Sequence, residues 1–364
     1  MKFVRNEDLR AGMRLARPIY NKNGVLLFER DSKLTPQGIA SISNFGLFGI
    51  FVLEPAEPCP PMTPEDIEFE RFQTMYVFSI REELQRIVTS GKAAKTDTIT
   101  ANIIRAYGHH DHPINFIQNL RSREDFVFKH CLNTAILCAL ITNKINCRID
   151  EQTDTVMSAV LHDVGKITVP KALSEKSEWT QQDYDIIEAS VSQGIRLIEN
   201  VFASNMNIKR TCYQAHHANM EYKNDGHVET KMTLPSRILA VANAYDNLTA
   251  MQFGAEPKSE VEAIRILQNA PELYDPKIVE ALLQVVNILA PGTCIELNTG
   301  EKGLVITKNE GDILRPMILS FKDNKIIDLS NRLYSDLMIK DIMKTMDNRH
   351  IMDMDALSRS GITI

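Results

Sequence analysis

Apolar residues recur at every third or fourth position through the middle of the chain, the period of helices that bury one face. Near both ends this period gives way to short alternating segments bounded by turn-forming residues, which are typical of strands. The pattern predicts a mainly α protein, with an all-helical core flanked by a small α/β N-terminal module and a small antiparallel β C-terminal module. The predicted core helices span residues 63–90, 99–107, 114–120, 127–145, 153–161, 181–200, 210–217, 237–249, 260–268 and 276–289.

The N-terminal module is expected to contain short strands around a turn at 21–24, then a helix over 35–45 and a strand over 48–53. Thr35 is the expected N-cap of that helix, because its hydroxyl can accept a backbone hydrogen bond and Pro36 suits the first helical position. The pattern therefore predicts a module with its own small core.

A proline-rich linker over 54–61 separates this module from the long helix 63–90, where Thr63 and Pro64 repeat the same start signal. The C-terminal module is expected to end in a helix over 339–345. Its predicted strands are 293–297, 303–308, 316–321 and 325–329. The chain is accordingly divided into 1–56, the linker and long helix 57–108, the helical domain 109–290, and the β-rich module 291–364.

Composition narrows the class of protein. The chain has 364 residues, 44% of them apolar and 24% charged, which is ordinary for a globular protein. Its net charge of −6 argues against a general DNA-binding face, and no apolar stretch is expected to cross a membrane. The start of the chain lacks the apolar core of a signal peptide, and the six cysteines lack paired spacing, so we expect a reducing cytoplasmic setting.

The most informative motif is a histidine–aspartate pair at the end of an apolar helical run. It reads His162-Asp163-Val164-Gly165-Lys166. Histidine offers a nitrogen ligand, aspartate offers two oxygens that can bridge metals, and lysine can reach a phosphate oxygen. The motif therefore indicates metal-dependent phosphate chemistry. The same dipeptide at His110-Asp111 lies in a polar stretch and carries no such context.

Other residues follow the pair in a recognisable order. His130 precedes it, His216-His217 follow it, and an apolar segment over 237–249 comes after them. This set resembles the HD-GYP branch of the HD phosphohydrolase superfamily, over residues 116–289. The resemblance implies an HD-type helical core that hydrolyses cyclic dinucleotides, chiefly cyclic di-GMP, at a centre of two or three metals.

The resemblance also implies roles for particular residues. One metal would be held by His130, His162, Asp163 and Asn243, and Asp163 would bridge to a second metal. Lys166 would contact the phosphate. The second metal would be held by His216 and His217. Nitrogen-plus-carboxylate sites accept iron, manganese or zinc, so one or two such divalent ions per chain are expected.

Four departures weaken the resemblance. The family has Asp where this chain has neutral Asn243, and it has a histidine ligand where this chain has Ser190. The Gly-Tyr-Pro loop that follows the paired histidines in the family is absent. Phe126 occupies the position where some relatives carry a glutamate for a third metal, so a trinuclear site is not expected. Asp246, one helical turn after Asn243, is interpreted as a structural hydrogen-bond acceptor.

The remaining histidines have simpler interpretations. His109, His110 and His112 are expected in an exposed interhelical loop, and nothing requires His227 at the centre. His216-His217, taken alone, would suit a solvated pair equally well.

Two classes of function stay open. The first is a metal-dependent cyclic-dinucleotide phosphodiesterase with a degenerate, weakly active centre. The second is a catalytically inactive HD-GYP-like signalling protein that binds a nucleotide or docks a protein partner. The helix 63–90 is a candidate for contact with a second copy of the chain.

Overall fold

The structure, a computed structural model, describes residues 2–342 except for 21–24, 46, 48, 54–61, 123, 175, 177–179 and 252–255. The expected turn at 21–24 and the proline-rich linker lie outside the described residues. Within them, a helical core is flanked by small antiparallel sheets, so the predicted fold class is confirmed.

The N-terminal module joins short strands to a single helix. Its elements are β1 (Lys2–Arg5), β2 (Arg14–Leu15), β3 (Ile19–Tyr20), β4 (Leu26–Phe28), α1 (Pro36–Asn44) and β5 (Gly49–Leu53).

The central strand of this module is β5, which pairs antiparallel with both β1 and β2, while β3 pairs with β4. Helix α1 starts as predicted, because the Thr35 hydroxyl accepts a hydrogen bond from Gly38 N at 3.0 Å. The module buries its own apolar cluster around Leu15, Ile42 and Ile50. Arg17 Nη1 donates to the backbone oxygen of Gln118 at 2.6 Å and so links the module to the segment before the central helix.

The helical core follows the predicted order, with several changed ends. Its helices are α2 (Pro64–Ser90), α3 (Thr96–Tyr107), α4 (Phe126–Lys144), α5 (Ile149–Leu161), α6 (Lys171–Ser174), α7 (Gln181–Val201), α8 (Met206–Asp225), α9 (Leu234–Thr249), α10 (Glu260–Gln268) and α11 (Pro276–Val285), with a 3₁₀ helix at Val164–Thr168 between α5 and α6.

The start of α2 is fixed by reciprocal hydrogen bonds. Asp66 N donates to Thr63 Oγ1 at 3.1 Å, and Thr63 N donates to Asp66 Oδ2 at 2.8 Å. This capping box satisfies backbone donors that a helix start otherwise leaves free. Gly91, with a φ of +65°, ends the helix in the left-handed conformation that glycine adopts without strain.

Helix α4 is the central helix of the core. By length and composition it could span a membrane, contrary to the expectation from the sequence, but 78% of its apolar window is buried inside the protein. It packs against α5 and α9. It is therefore accounted for as a core helix, and it carries His130.

Two glycines let the chain pass close to itself just after the His-Asp pair. A Cβ built on Gly165 would overlap the backbone oxygen of Ser190, and one on Gly194 would overlap the backbone of Gly165. The 3₁₀ helix and α7 therefore touch backbone to backbone.

The C-terminal module is an antiparallel sheet in the order β10-β6-β7-β8-β9, and its inner face shares the apolar cluster of the helical core. Its strands are β6 (Cys294–Leu297), β7 (Lys302–Thr307), β8 (Met317–Ser320), β9 (Ile326–Asp328) and β10 (Ile339–Ile342).

Two predicted helices are wrong. Residues 339–342, assigned to a closing helix, form strand β10, which pairs with β6; the remainder of that prediction lies outside the described residues. Residues 114–120 are not helical, because Ile114 N donates to Val285 O at 3.0 Å and Asn287 N donates to Ile114 O at 2.8 Å. These long-range backbone bonds engage Ile114, and residues 115–120 form no regular secondary structure. The four-part division of the chain stays a prediction.

We predict that Gly165→Ala lowers the free energy of unfolding by about 2–4 kcal/mol, because the added methyl group would force the 3₁₀ helix away from α7. The measurement is denaturant unfolding. Gly311→Ala is the matched control: its Cβ would meet only Asn309 Oδ1, at 3.4 Å, so we expect a change within about 0.5 kcal/mol. Equal stability of Gly165→Ala and the parent would contradict the close contact.

Candidate metal centre

Three potential ligands from two neighbouring helices meet in the helical core. His130 lies on α4 and is fully buried, while His162 and Asp163 end α5 just before the 3₁₀ helix. One ligand atom from each of the three lies within 4.8 Å of the others. The structure therefore brings together three of the residues that the sequence predicted for the first metal.

The distances between these atoms suit a shared ion. His130 Nε2 lies 3.1 Å from His162 Nε2 and 3.5 Å from Asp163 Oδ2, and His162 Nε2 lies 3.8 Å from Asp163 Oδ2. Asn243 Oδ1, from α9, lies 2.9 Å from His130 Nε2. Ligand atoms about 2.1 Å from a tetrahedral metal are roughly 3.4 Å from one another, so the set matches that spacing.

The protons of the two imidazoles point away from this point of convergence. His162 Nδ1 donates to the backbone oxygen of Ala159 at 2.8 Å, and His130 Nδ1 donates to Asp246 Oδ2 at 2.6 Å. Burial lowers the pKa of His162 to about 4, so this ring is neutral near pH 7 and its Nε2 carries a lone pair.

Asp163 adds a negative charge to the same point. Burial opposes its ionisation, but the ammonium of Lys166, with Nζ 2.7 Å from Asp163 Oδ2, holds the pKa of this carboxyl well below its usual range. Lone pairs of two nitrogens, a carboxylate and an amide oxygen therefore face one another, and a cation is the group that satisfies them all.

Asp246 supports the centre from behind. It is fully buried and accepts hydrogen bonds from Arg121 Nη2, at 2.7 and 2.6 Å, and from Asn133 Nδ2, at 3.0 Å. Burial opposes its ionisation, but the charge of Arg121 and the hydrogen bond from His130 hold its pKa below the usual range. Asp246 is thus a hydrogen-bond acceptor, as predicted, and a carboxylate on the far nitrogen of a ligating histidine fixes the ring and its tautomer.

The predicted ligands of the second metal have other partners. His216 Nε2 contacts Glu188 Oε1, while His217 Nδ1 lies 3.0 Å from both Thr230 Oγ1 and Glu221 Oε1. Neither histidine belongs to the group formed by the three buried ligands. The hydroxyl of Ser190 donates to Ile186 O of its own helix, at 2.9 Å.

Sequence reasoning missed several residues that these contacts reveal. Glu188 and Glu221 carry no motif that points to a histidine partner. Arg121 lies in a polar stretch that is typical of a surface loop, yet its side chain is fully buried against Asp246. Asn133, one helical turn from His130, was the one detectable signal, since it is polar within an apolar run.

Comparisons with known proteins show what the chain is similar to. A family model described as the HD domain matches residues 114–278. A cyclic di-GMP phosphodiesterase of Pseudomonas aeruginosa is 21% identical over 240 residues, which cover 65% of this chain and 57% of that protein. Another, of Borreliella burgdorferi, is 23% identical over 207 residues, covering 55% and 53%. The chain thus spans little more than half the length of these relatives.

A solved structure, an HDG“Y”P protein from Bdellovibrio bacteriovorus, aligns with a TM-score of 0.46 at 12% identity, over 77% of this chain and 97% of that one. Residues 114–278, within the helical core, therefore match the HD domain. The similarity to proteins named cyclic di-GMP phosphodiesterases confirms the resemblance to the HD-GYP branch seen in the sequence.

We predict that Asp246→Asn weakens metal binding about 10- to 100-fold, because the orienting charge behind His130 is lost. It should also lower the free energy of unfolding by about 3–5 kcal/mol, since the Arg121 guanidinium stays buried without a counter-charge. Metal titration and denaturant unfolding measure the two effects.

Asp275→Asn is the matched control for this change. Asp275 pairs with the partly exposed Arg237, away from the three ligands, so its loss should change stability by no more than about 1 kcal/mol. Metal affinity equal to the parent's in Asp246→Asn would show that the carboxylate does not support the centre.

Proposed function

We propose that this protein is a metal-dependent phosphodiesterase of cyclic dinucleotides, of the cyclic di-GMP type, with a weakened centre. The observation that carries the proposal is the convergence of lone pairs from His130, His162, Asp163 and Asn243 on one point, while the imidazole protons are donated elsewhere. Relatives named as cyclic di-GMP phosphodiesterases support the choice of substrate class.

These four residues would hold the metal, and Lys166 and Asp163 would complete the reactive site. A divalent iron, manganese or zinc ion supplies Lewis acidity and lowers the pKa of a bound water. Lys166 holds its ammonium against the Asp163 carboxylate, in position to contact a phosphate oxygen. Asp246 keeps the Nε2 lone pair of His130 directed at the ion.

The same contacts support low turnover. Asn243 contributes no charge, the hydroxyl of Ser190 is bonded within its helix, and His216 is held by Glu188. One metal is therefore expected to bind more tightly than the second, and phosphodiester hydrolysis that depends on two metals would be slowed.

The alternative is a catalytically inactive protein that binds the nucleotide or docks a signalling partner. The engagement of His216 and His217 by carboxylates favours this alternative, because it occupies His216 Nε2 and His217 Nδ1. The two proposals differ in whether the bound dinucleotide is hydrolysed or stays intact.

Exposed and buried residues also bear on the partners and the cellular location that we propose. On α2, Ile67 and Met75 are 56% and 58% exposed, and these are the side chains through which the helix would contact a second copy of the chain. Burial raises the pKa of the thiols of Cys138 and Cys212, which suits unreactive cysteines in a cytoplasmic protein. The acidic net charge disfavours DNA as a partner, and the burial of α4 disfavours a membrane.

We predict that Asp163→Ala abolishes high-affinity binding of iron, manganese or zinc at this centre and any hydrolysis of cyclic di-GMP. Asp163 is the one carboxylate among the grouped ligands, so its loss removes their negative charge. Elemental analysis after reconstitution measures the loss as the difference in metal content between the parent and the variant. The control variant Asp225→Ala, which removes an exposed carboxylate, should change neither metal binding nor hydrolysis. A parent chain that retains no metal after reconstitution would rule out the proposal.

We also predict that Ser190→His combined with Asn243→Asp raises cyclic di-GMP turnover, and by more than the sum of the single changes. The substitutions restore a nitrogen ligand and a charged oxygen at metals that act as one unit. The gain should be modest, because the Gly-Tyr-Pro loop is still missing. A double variant that binds two metals fully yet hydrolyses nothing would instead support the binding or docking role.

A further inference from the structure

A second group of potential ligands lies at the start of α2, away from the centre described above. It consists of Glu65, His110 and His112, whose ligand atoms lie within 4.8 Å of one another. His109 and His112 are exposed, as predicted for an interhelical loop, but His110 is half-buried and faces Glu65. The spacing of the histidines gave no sign of this carboxylate.

Both sides of this group are held in place. Glu65 lies in the first turn of α2, which the Thr63–Asp66 capping box fixes. The backbone of the histidine loop is tied down because Asn143 Nδ2 donates to His110 O at 2.7 Å. Asn115 Nδ2 donates to Asp66 Oδ1 at 3.0 Å and joins the loop to the helix start.

The ligand atoms are arranged around one carboxylate oxygen. His112 Nε2 lies 3.0 Å and His110 Nδ1 lies 3.6 Å from Glu65 Oε1. His110 Nδ1 is buried and has no hydrogen-bond partner among the described residues. A buried nitrogen without a partner is costly, so this atom independently points to a missing ligand.

A further carboxylate orients His112 from the opposite side of its ring. Asp111 Oδ1 lies 2.7 Å from His112 Nδ1 and accepts its proton, while Nε2 lies 3.0 and 3.2 Å from the two oxygens of Glu65, so a zinc ion would replace the proton that Nε2 shares with Glu65. A carboxylate on the far nitrogen of a histidine is the arrangement that supports metal-ligating histidines generally.

We propose that Glu65, His110 and His112 form a separate zinc site, with Asp111 as its positioning residue. Two nitrogens and one carboxylate oxygen are a common three-residue zinc set, and the fourth position is left to water. The ion would join the start of α2 to the loop after α3. This proposal does not depend on the function proposed for the buried centre.

The test uses the full chain with the buried centre disabled by Asp163→Ala. At about pH 8, where protons compete less with metal for the histidines, this chain should still bind one zinc ion and gain thermal stability from it. Adding His112→Ala or His110→Ala should weaken zinc binding at least about tenfold and remove the stabilisation. Asp111→Asn should have a smaller effect in the same direction.

The matched control is His109→Ala, which removes an exposed histidine of the same loop and should leave zinc affinity unchanged. Circular dichroism checks that each variant is folded. Equal zinc affinity with and without His112, or an equal loss in His109→Ala, would overturn the proposal. If the zinc site proved absent, the proposal for the buried centre would be unaffected, because metal binding there is measured by comparing the parent chain with Asp163→Ala.

Discussion

The buried ion pair between Arg121 and Asp246 is the interaction on which the candidate metal centre depends. Both side chains are fully buried, so neither charge is stable without the other. Asp246 also accepts the Nδ1 proton of His130, which leaves the opposite nitrogen facing His162 and Asp163. A pair formed between α9 and the segment before α4 thus decides which atom of a histidine on α4 can bind a metal.

The hydrogen bonds extend from this pair to the outer helix α2. Gln73 Nε2 donates to Asn133 Oδ1 at 2.9 Å, and Asn133 in turn donates to Asp246. The first turn of the same helix carries Glu65, a ligand of the proposed zinc site. Helix α2, which supports the region of His130 from one side, would therefore be anchored by a metal at its start. A zinc ion there would stabilise the same helix that helps to order the buried centre.

Local signals in the sequence were sufficient for the helical core, the caps at Thr35 and Thr63, and the His162-Asp163 pair at a helix end. Each of these depends on residues within a few positions of one another. Residues 114–120 carry a helical pattern, yet Ile114 forms backbone bonds with residues 285 and 287, and the segment is not helical. Likewise Glu188 contacts His216, and Arg121 contacts Asp246. These partners are far apart in the sequence, so no local pattern predicts that they meet. The missing information is long-range pairing, which a single sequence does not record.

Anomalous X-ray diffraction from metal-loaded crystals would show whether His130, His162 and Asp163 bind an ion. We expect a peak about 2.0–2.3 Å from His130 Nε2, His162 Nε2 and an Asp163 oxygen, with Asn243 beside it and Asp246 still bonded to His130 Nδ1. Any peak between His216 and Glu188 should be weaker. No peak at the three buried ligands, with their imidazoles hydrogen-bonded to each other instead, would contradict the account.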